Sequence, residues 1–317
     1  MSTGSGISRP TRVFPSLPAP VLVLGAMLSI QLGSVVAKQL LESAGATTTA
    51  ATRLLFAGII ALLLWRPSLR IERRALPAIM GFGAAIAGMN LCFYAAIERI
   101  PLGMAVTIEF LGPLTVALAT SRRRLDALWV ALAAGGVLLL MKGDGPVSWS
   151  GIGFAMLAGV GWGSYIACSS VLGNRTSGGD GLALAMGFGA LLAVPVVISD
   201  AATVFTDPLF LAAALGVALL ASLIPHLAEL EALRRMPTAT FGVLMSVEPA
   251  IAAAAGLLFL GEELAVPQWA GIALVVLATA GSTRTAAPET PTAAPERTPA
   301  TAPPTRSDTD HTPVLAG

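Results

Sequence analysis

A thirteen-residue pattern in this chain returns 136 positions later. Pro101 to Pro113 reads PLGMAVTIEFLGP and Pro237 to Pro249 reads PTATFGVLMSVEP. In both, the prolines stand twelve residues apart, an Ala-aliphatic dipeptide with Arg precedes the first (AIERIP, ALRRMP), and an Ala-rich run follows the second. The offset of 136 residues predicts two related halves. Each copy also carries one carboxylate, Glu109 and Glu248, inside an otherwise apolar segment. In a bilayer such a charge costs from about 2.5 kcal/mol upward at the centre of a helix, so these two acids need a reason to be there.

The bilayer follows from composition. Of 317 residues, 55% are hydrophobic and 12% charged, where a soluble domain has about a quarter charged. The net charge of +1, with arginines scattered through short loops, offers no nucleic-acid surface. Cys92 and Cys168 lie in apolar runs and read as small packed hydrophobes. A spanning helix needs about 20 mostly apolar residues. That rule gives ten expected spans, at 20–41, 46–65, 75–97, 102–120, 126–142, 151–172, 180–200, 208–233, 238–260 and 266–284. The first is too long for a cleaved signal segment and is expected to be retained. Residues 1–19 read as a disordered cytoplasmic arm, and 285–317, rich in Thr, Pro and Ala, as a disordered tail.

The connections set an orientation. One set of loops holds Arg66, Arg70, Arg73, Arg74, Arg122, Arg123, Arg124, Arg175, Arg234 and Arg235; the opposite set holds Arg99 and Lys142. The positive-inside bias places both termini in the cytoplasm. Five spans per half is an odd number, so the second half enters the membrane upside down relative to the first. The expected fold is therefore all-α and integral to the membrane, ten helices in two inverted five-helix repeats, 20–142 and 151–284, with a midplane site between them. Gly33-Ser34 against Gly163-Ser164, and Trp129 against Trp269, extend the match.

With Arg53 in AATRLLFAG, the paired prolines, and GEEL before the last span, the chain resembles the EamA branch of the drug/metabolite transporter superfamily from about Leu28 to Ser282. Glu231, His226 and the Pro/Thr-rich tail stand outside the resembled pattern. The resemblance implies a secondary transporter of the bacterial inner membrane that exports small amino acids, threonine and homoserine, with no cofactor.

Glu109 lies eight residues past Pro101, about 12 Å along a helix, and Glu248 eleven past Pro237, about 16 Å from the other face. Both depths are near the middle of a core about 30 Å thick. Such acids can face a cavity, pair with a substrate ammonium or take a proton; alternatively they are structural, bonded to a neighbouring helix. Pro113 and Pro249 each withhold a helix donor and free the carbonyl four residues earlier, as a broken helix at a binding site would. Arg53 can grip a substrate carboxylate with two parallel bonds or neutralise the acids. Gln31 and Asn90 bring amides suited to a hydroxylated substrate or to interhelical bonds, and Trp162 offers an aromatic wall. Lys38 is expected to snorkel outward, with a substrate contact as the alternative. Glu229 and Glu231 are expected to pair with Arg234 and Arg235, and His226 to pack. Ala155, Gly159 and Gly163, four residues apart, read as a helix-packing stripe.

The sequence contains no HExxH, GxSxG or Walker A motif, and its two histidines are His226 and His311, so neither hydrolysis nor direct ATP use is indicated. Expected partners are an amino acid, protons and the lipid bilayer, with no nucleic acid, no metal, and a homodimer left open. A broader metabolite or drug exporter, and an intramembrane enzyme or lipid-handling scaffold with a dry interior, are the competing readings.

Overall fold

Helix α1 runs from Ala19 to Trp65, 47 residues. Straight, it would reach about 70 Å, more than twice the hydrocarbon core. Gly45 interrupts it with φ 73° and ψ 168°, a backbone region open only to glycine. Two legs result, and they fall on the expected spans 20–41 and 46–65.

The computed structural model describes residues 17–67, 76–119, 125–142, 148–173, 180–233 and 235–285, within a unit that ends at Ala286. The arm before Leu17, the tail from Ala286 onward and the loop arginines Arg70, Arg73, Arg74, Arg122, Arg123, Arg124, Arg175 and Arg234 lie outside the described residues.

After α1 come α2 (Leu76–Ile97), α3 (Leu102–Glu109), α4 (Leu111–Ala119), α5 (Asp126–Leu140), α6 (Trp149–Gly173) and α7 (Asp180–Ser199). Then follow α8 (Ala201–Thr206), α9 (Pro208–Ala218), a π-helical turn (Leu219–Leu223), α10 (Ile224–Leu233), α11 (Thr238–Met245), α12 (Glu248–Leu260) and α13 (Val266–Thr285). Among the described residues every regular element is helical. Seven helical segments are long and apolar enough to cross a membrane, and Leu102–Val116 and Ala127–Leu140 are shorter apolar helices. Large apolar side chains face outward, Leu258 at 75% exposure and Val266 at 82%. On a protein in water so extensive an apolar exterior would be a liability; facing lipid tails it costs nothing. The protein is a multi-pass membrane protein.

Two expected spans are broken inside. Residues 102–120 divide into α3 and α4 at Phe110, and 238–260 divide into α11 and α12 at Ser246 and Val247. Pro101 and Pro237 stand at the N-caps of α3 and α11. Pro113 and Pro249 lie in the first turn of α4 and α12, where a proline's missing N–H is tolerated.

The helices pack closely at small residues. Helix α2 lies on α6, the second leg of α1 on α7, α3 on α12, and α5 on α13, while the π-helical turn, α9 and α10 lie against α1. The tightest crossing is between Gly112 and Gly159, where a Cβ on either residue would run into the other segment's backbone. The small-residue stripe of α6 thus serves packing, with Ala155 fully buried beside it.

Candidate functional site

Glu109 is the last residue of α3 and Glu248 the first of α12, so both acids sit where a proline-flanked helix stops or restarts. They are 7% and 4% exposed. With Gln31, Arg53, Asn90 and Trp162 they line one cavity of about 200 Å³.

Gln31, Glu248, Asn90 and Trp162 each have an identifiable partner. Gln31 Nε2 donates to Glu248 Oε1 at 3.2 Å across 217 residues of sequence. The second oxygens of this pair, Gln31 Oε1 and Glu248 Oε2, are buried without a hydrogen-bond partner. Both are acceptors, and the pair lacks a donor. Asn90 Nδ2 donates to Ile86 O of its own helix at 2.8 Å. Trp162 meets Phe110 edge to face, ring centres 4.8 Å apart, which places an aromatic surface beside the α3–α4 break.

Arg53 is anchored to the second half of the chain. Its Nη2 donates to Ala221 O at 2.7 Å and to Ser222 Oγ at 3.3 Å, and its Nη1 to Tyr94 Oη at 3.4 Å. The reason lies four residues on. Pro225 has no N–H, so the Ala221 carbonyl loses its helical donor, the chain widens into the π-helical turn, and the guanidinium fills the vacancy. π-Turns inside helices recur at functional sites. Among the described residues no ion pair joins Arg53 to a carboxylate; its charge faces the cavity.

The structure departs from the expectations at three places. Lys38 is not among the residues lining the cavity: it pairs with Glu262 and donates to Ile100 O at 3.3 Å. Glu231 pairs with Arg235 as expected, whereas Glu229 turns to the cavity wall together with His226. The two lie three residues apart on one face of α10, which points away from Arg235. His226 Nδ1 is 2.7 Å from Ser222 O; a carbonyl only accepts, so Nδ1 carries the hydrogen of this bond. Finally, Glu109 O, deprived of its donor by Pro113, abuts α6, 2.9 Å from where a Cβ on Gly159 would sit.

Tyr94, Tyr165 and Ser222 were not singled out by sequence reasoning. Tyr165 and Ser222 line the cavity, and Tyr94 sits beneath Arg53, whose guanidinium carbon is 5.6 Å from the ring centre. The one signal that could have found the Arg53 anchor was Pro225, whose missing N–H marks Ala221.

Apolar helices around a small cavity that holds several charged side chains, with helices interrupted at two of its acids, fit a membrane transporter. The chain belongs to the EamA-like transporter family, which it matches over residues 17–141 and 149–284. It is similar to the threonine/homoserine exporter RhtA of Escherichia coli (strain K12), 38% identical over 269 residues, 84% of this chain and 91% of that protein. The RhtA of Salmonella typhimurium (strain SL1344) is 38% identical over 284 residues, 87% of this chain and 94% of that protein. The uncharacterized transporter YwfM of Bacillus subtilis (strain 168) is 25% identical over 248 residues, 74% of this chain and 83% of that protein. A crystal structure 18% identical in sequence shares the fold, with a TM-score of 0.56 over 84% of this chain and 98% of that one.

Proposed function

We propose that the protein exports small hydroxylated amino acids, threonine and homoserine, across the bacterial inner membrane in exchange for protons. The observation that carries the site assignment is the orphaned pair of acceptors on Gln31 and Glu248. A primary ammonium has three donors and no acceptor, and its positive charge offsets that of the buried carboxylate. Arg53 supplies the complementary charge for the substrate carboxylate, and Asn90 an amide for its hydroxyl. Trp162 covers the aliphatic part.

Proton exchange follows from charge. Glu109, Glu229 and Glu248 face the cavity with Arg53 and His226, and in a low-dielectric setting an uncompensated carboxylate is costly. When the ammonium leaves, a proton replaces its charge, so substrate and proton alternate on the same acids. Glu109 is assigned the coupling proton.

The two-half plan, with ten spans, repeats 20–142 and 151–284, and both termini cytoplasmic, is supported by the packing. If the halves are exchanged, the contact of α2 with α6 becomes that of α9–α10 with the first leg of α1. The contacts of the second leg with α7 and of α5 with α13 map onto themselves. The site then lies at the middle of the bilayer. A cavity of about 200 Å³ falls below the roughly 300–1,000 Å³ usual for drug-sized ligands, which favours an amino acid over a broad drug exporter, and the charged groups in its wall are what a dry scaffold would lack. Cells carrying the protein are expected to grow in threonine or homoserine at concentrations that stop cells without it. Equal growth inhibition in both strains would refute the substrate assignment.

A further inference from the structure

The GEEL run, absorbed so far by no role, forms a clasp. Gly261 ends α12 with φ 64°, in the left-handed region, and Glu262 N donates back to Gly256 O at 3.1 Å. This turn aims the Glu262 side chain across the bundle. Its Oε2 accepts from Leu102 N, the first amide of α3, at 2.8 Å, a position where Pro101 supplies no side-chain cap. Its Oε1 pairs with Lys38 of α1, whose ammonium also bonds Ile100 O. One carboxylate thus ties three segments together: α1, the start of α3 and the α12–α13 connection. Beneath it Ile97 and Leu102 are fully buried.

The clasp holds two helices, α1 and α3, that also supply the cavity wall. Lys38 is one helical turn beyond Ser34, a wall residue, and α3 runs from the Glu262-capped amide to Glu109. At the same end Thr48 bonds Asp200, joining the second leg of α1 to the turn after α7. A partly buried pair bridging segments that must separate for a substrate to pass is a natural bistable element. We propose that Lys38 and Glu262 are the gate residues at the extracytoplasmic end of the cavity, and that their ion pair parts when substrate is released. Glu262 acts as a positioning residue for Glu109 through α3. The inference rests on reading the cavity as the transport site.

The test is sided thiol labelling. Ser34→Cys is introduced after replacing Cys92 and Cys168 by Ala, and a membrane-impermeant thiol reagent is applied to intact cells or to inside-out vesicles. Glu262→Gln and Lys38→Met are each expected to raise the labelling rate from outside about tenfold, as the open state gains population, without raising it from inside. Lys38→Met leaves the Glu262–Leu102 bond in place, so it carries the test if Glu262→Gln fails to accumulate. Unchanged outside rates, or an increase seen only from inside, overturn the gate. No labelling from either side in any variant overturns the cavity reading instead. A purely structural role would not move accessibility on one side alone.

Discussion

Glu248→Gln is expected to lower threonine export by about 30-fold or more. The substitution keeps the volume and removes the charge. Taking away one member of a buried, hydrogen-bonded charge pair costs about 2–5 kcal/mol, and each 1.4 kcal/mol is about tenfold. Here the charge pair is the one formed with the substrate ammonium, and Gln31 Nε2, now 3.2 Å from Glu248 Oε1, would face an amide oxygen instead. The measurement is the initial efflux rate of labelled threonine from loaded cells, normalised to protein in the membrane. Glu248→Asp, which restores the charge on a shorter stem, is expected to recover part of the rate. An unchanged rate in Glu248→Gln would remove this residue from the binding site.

Glu109→Gln is expected to separate transport from its driving force. If Glu109 carries the coupling proton, the variant still passes threonine down its gradient and no longer accumulates it against one. One pH unit is worth about 1.4 kcal/mol, so for one proton per substrate the wild type sustains about a tenfold gradient where the variant sustains none. The other titratable or charged groups of the cavity wall are Arg53, Tyr165, His226, Glu229 and Glu248, with Tyr94 beneath Arg53. If Glu109→Gln keeps the wild-type pH dependence and Glu229→Gln loses it, the coupling proton belongs to Glu229. Both variants are compared in proteoliposomes of known internal pH.

The helices were legible because a bilayer imposes a length and an apolar composition on every spanning segment. The two helix breaks were announced by Pro113 and Pro249, since a missing N–H is visible in the sequence. The same logic reached Gln31, Arg53, Asn90, Glu109, Trp162 and Glu248, polar or aromatic groups at membrane depth that turn out to share one cavity. What could not be read was which way a side chain near a helix end points. Glu229 and Glu231 are two residues apart, about 200° around a helix, and only the structure decides which of them meets Arg235. Lys38 illustrates the same limit. Its partner Glu262 is 224 residues away, and nothing in the local pattern distinguishes an outward snorkel from an inward clasp. The π-helical turn was missed for a different reason: Pro225 lies among apolar residues that fit an ordinary helix, and its effect appears only when Arg53 approaches.

The most direct test of the account is threonine movement through the purified wild-type protein in proteoliposomes, with equal threonine on both sides and an imposed difference of one pH unit. The account predicts net threonine flux toward the more acidic side until about a tenfold gradient is reached, accompanied by proton flow in the opposite direction. Threonine that stays equal on both sides, whatever the pH difference, would contradict it.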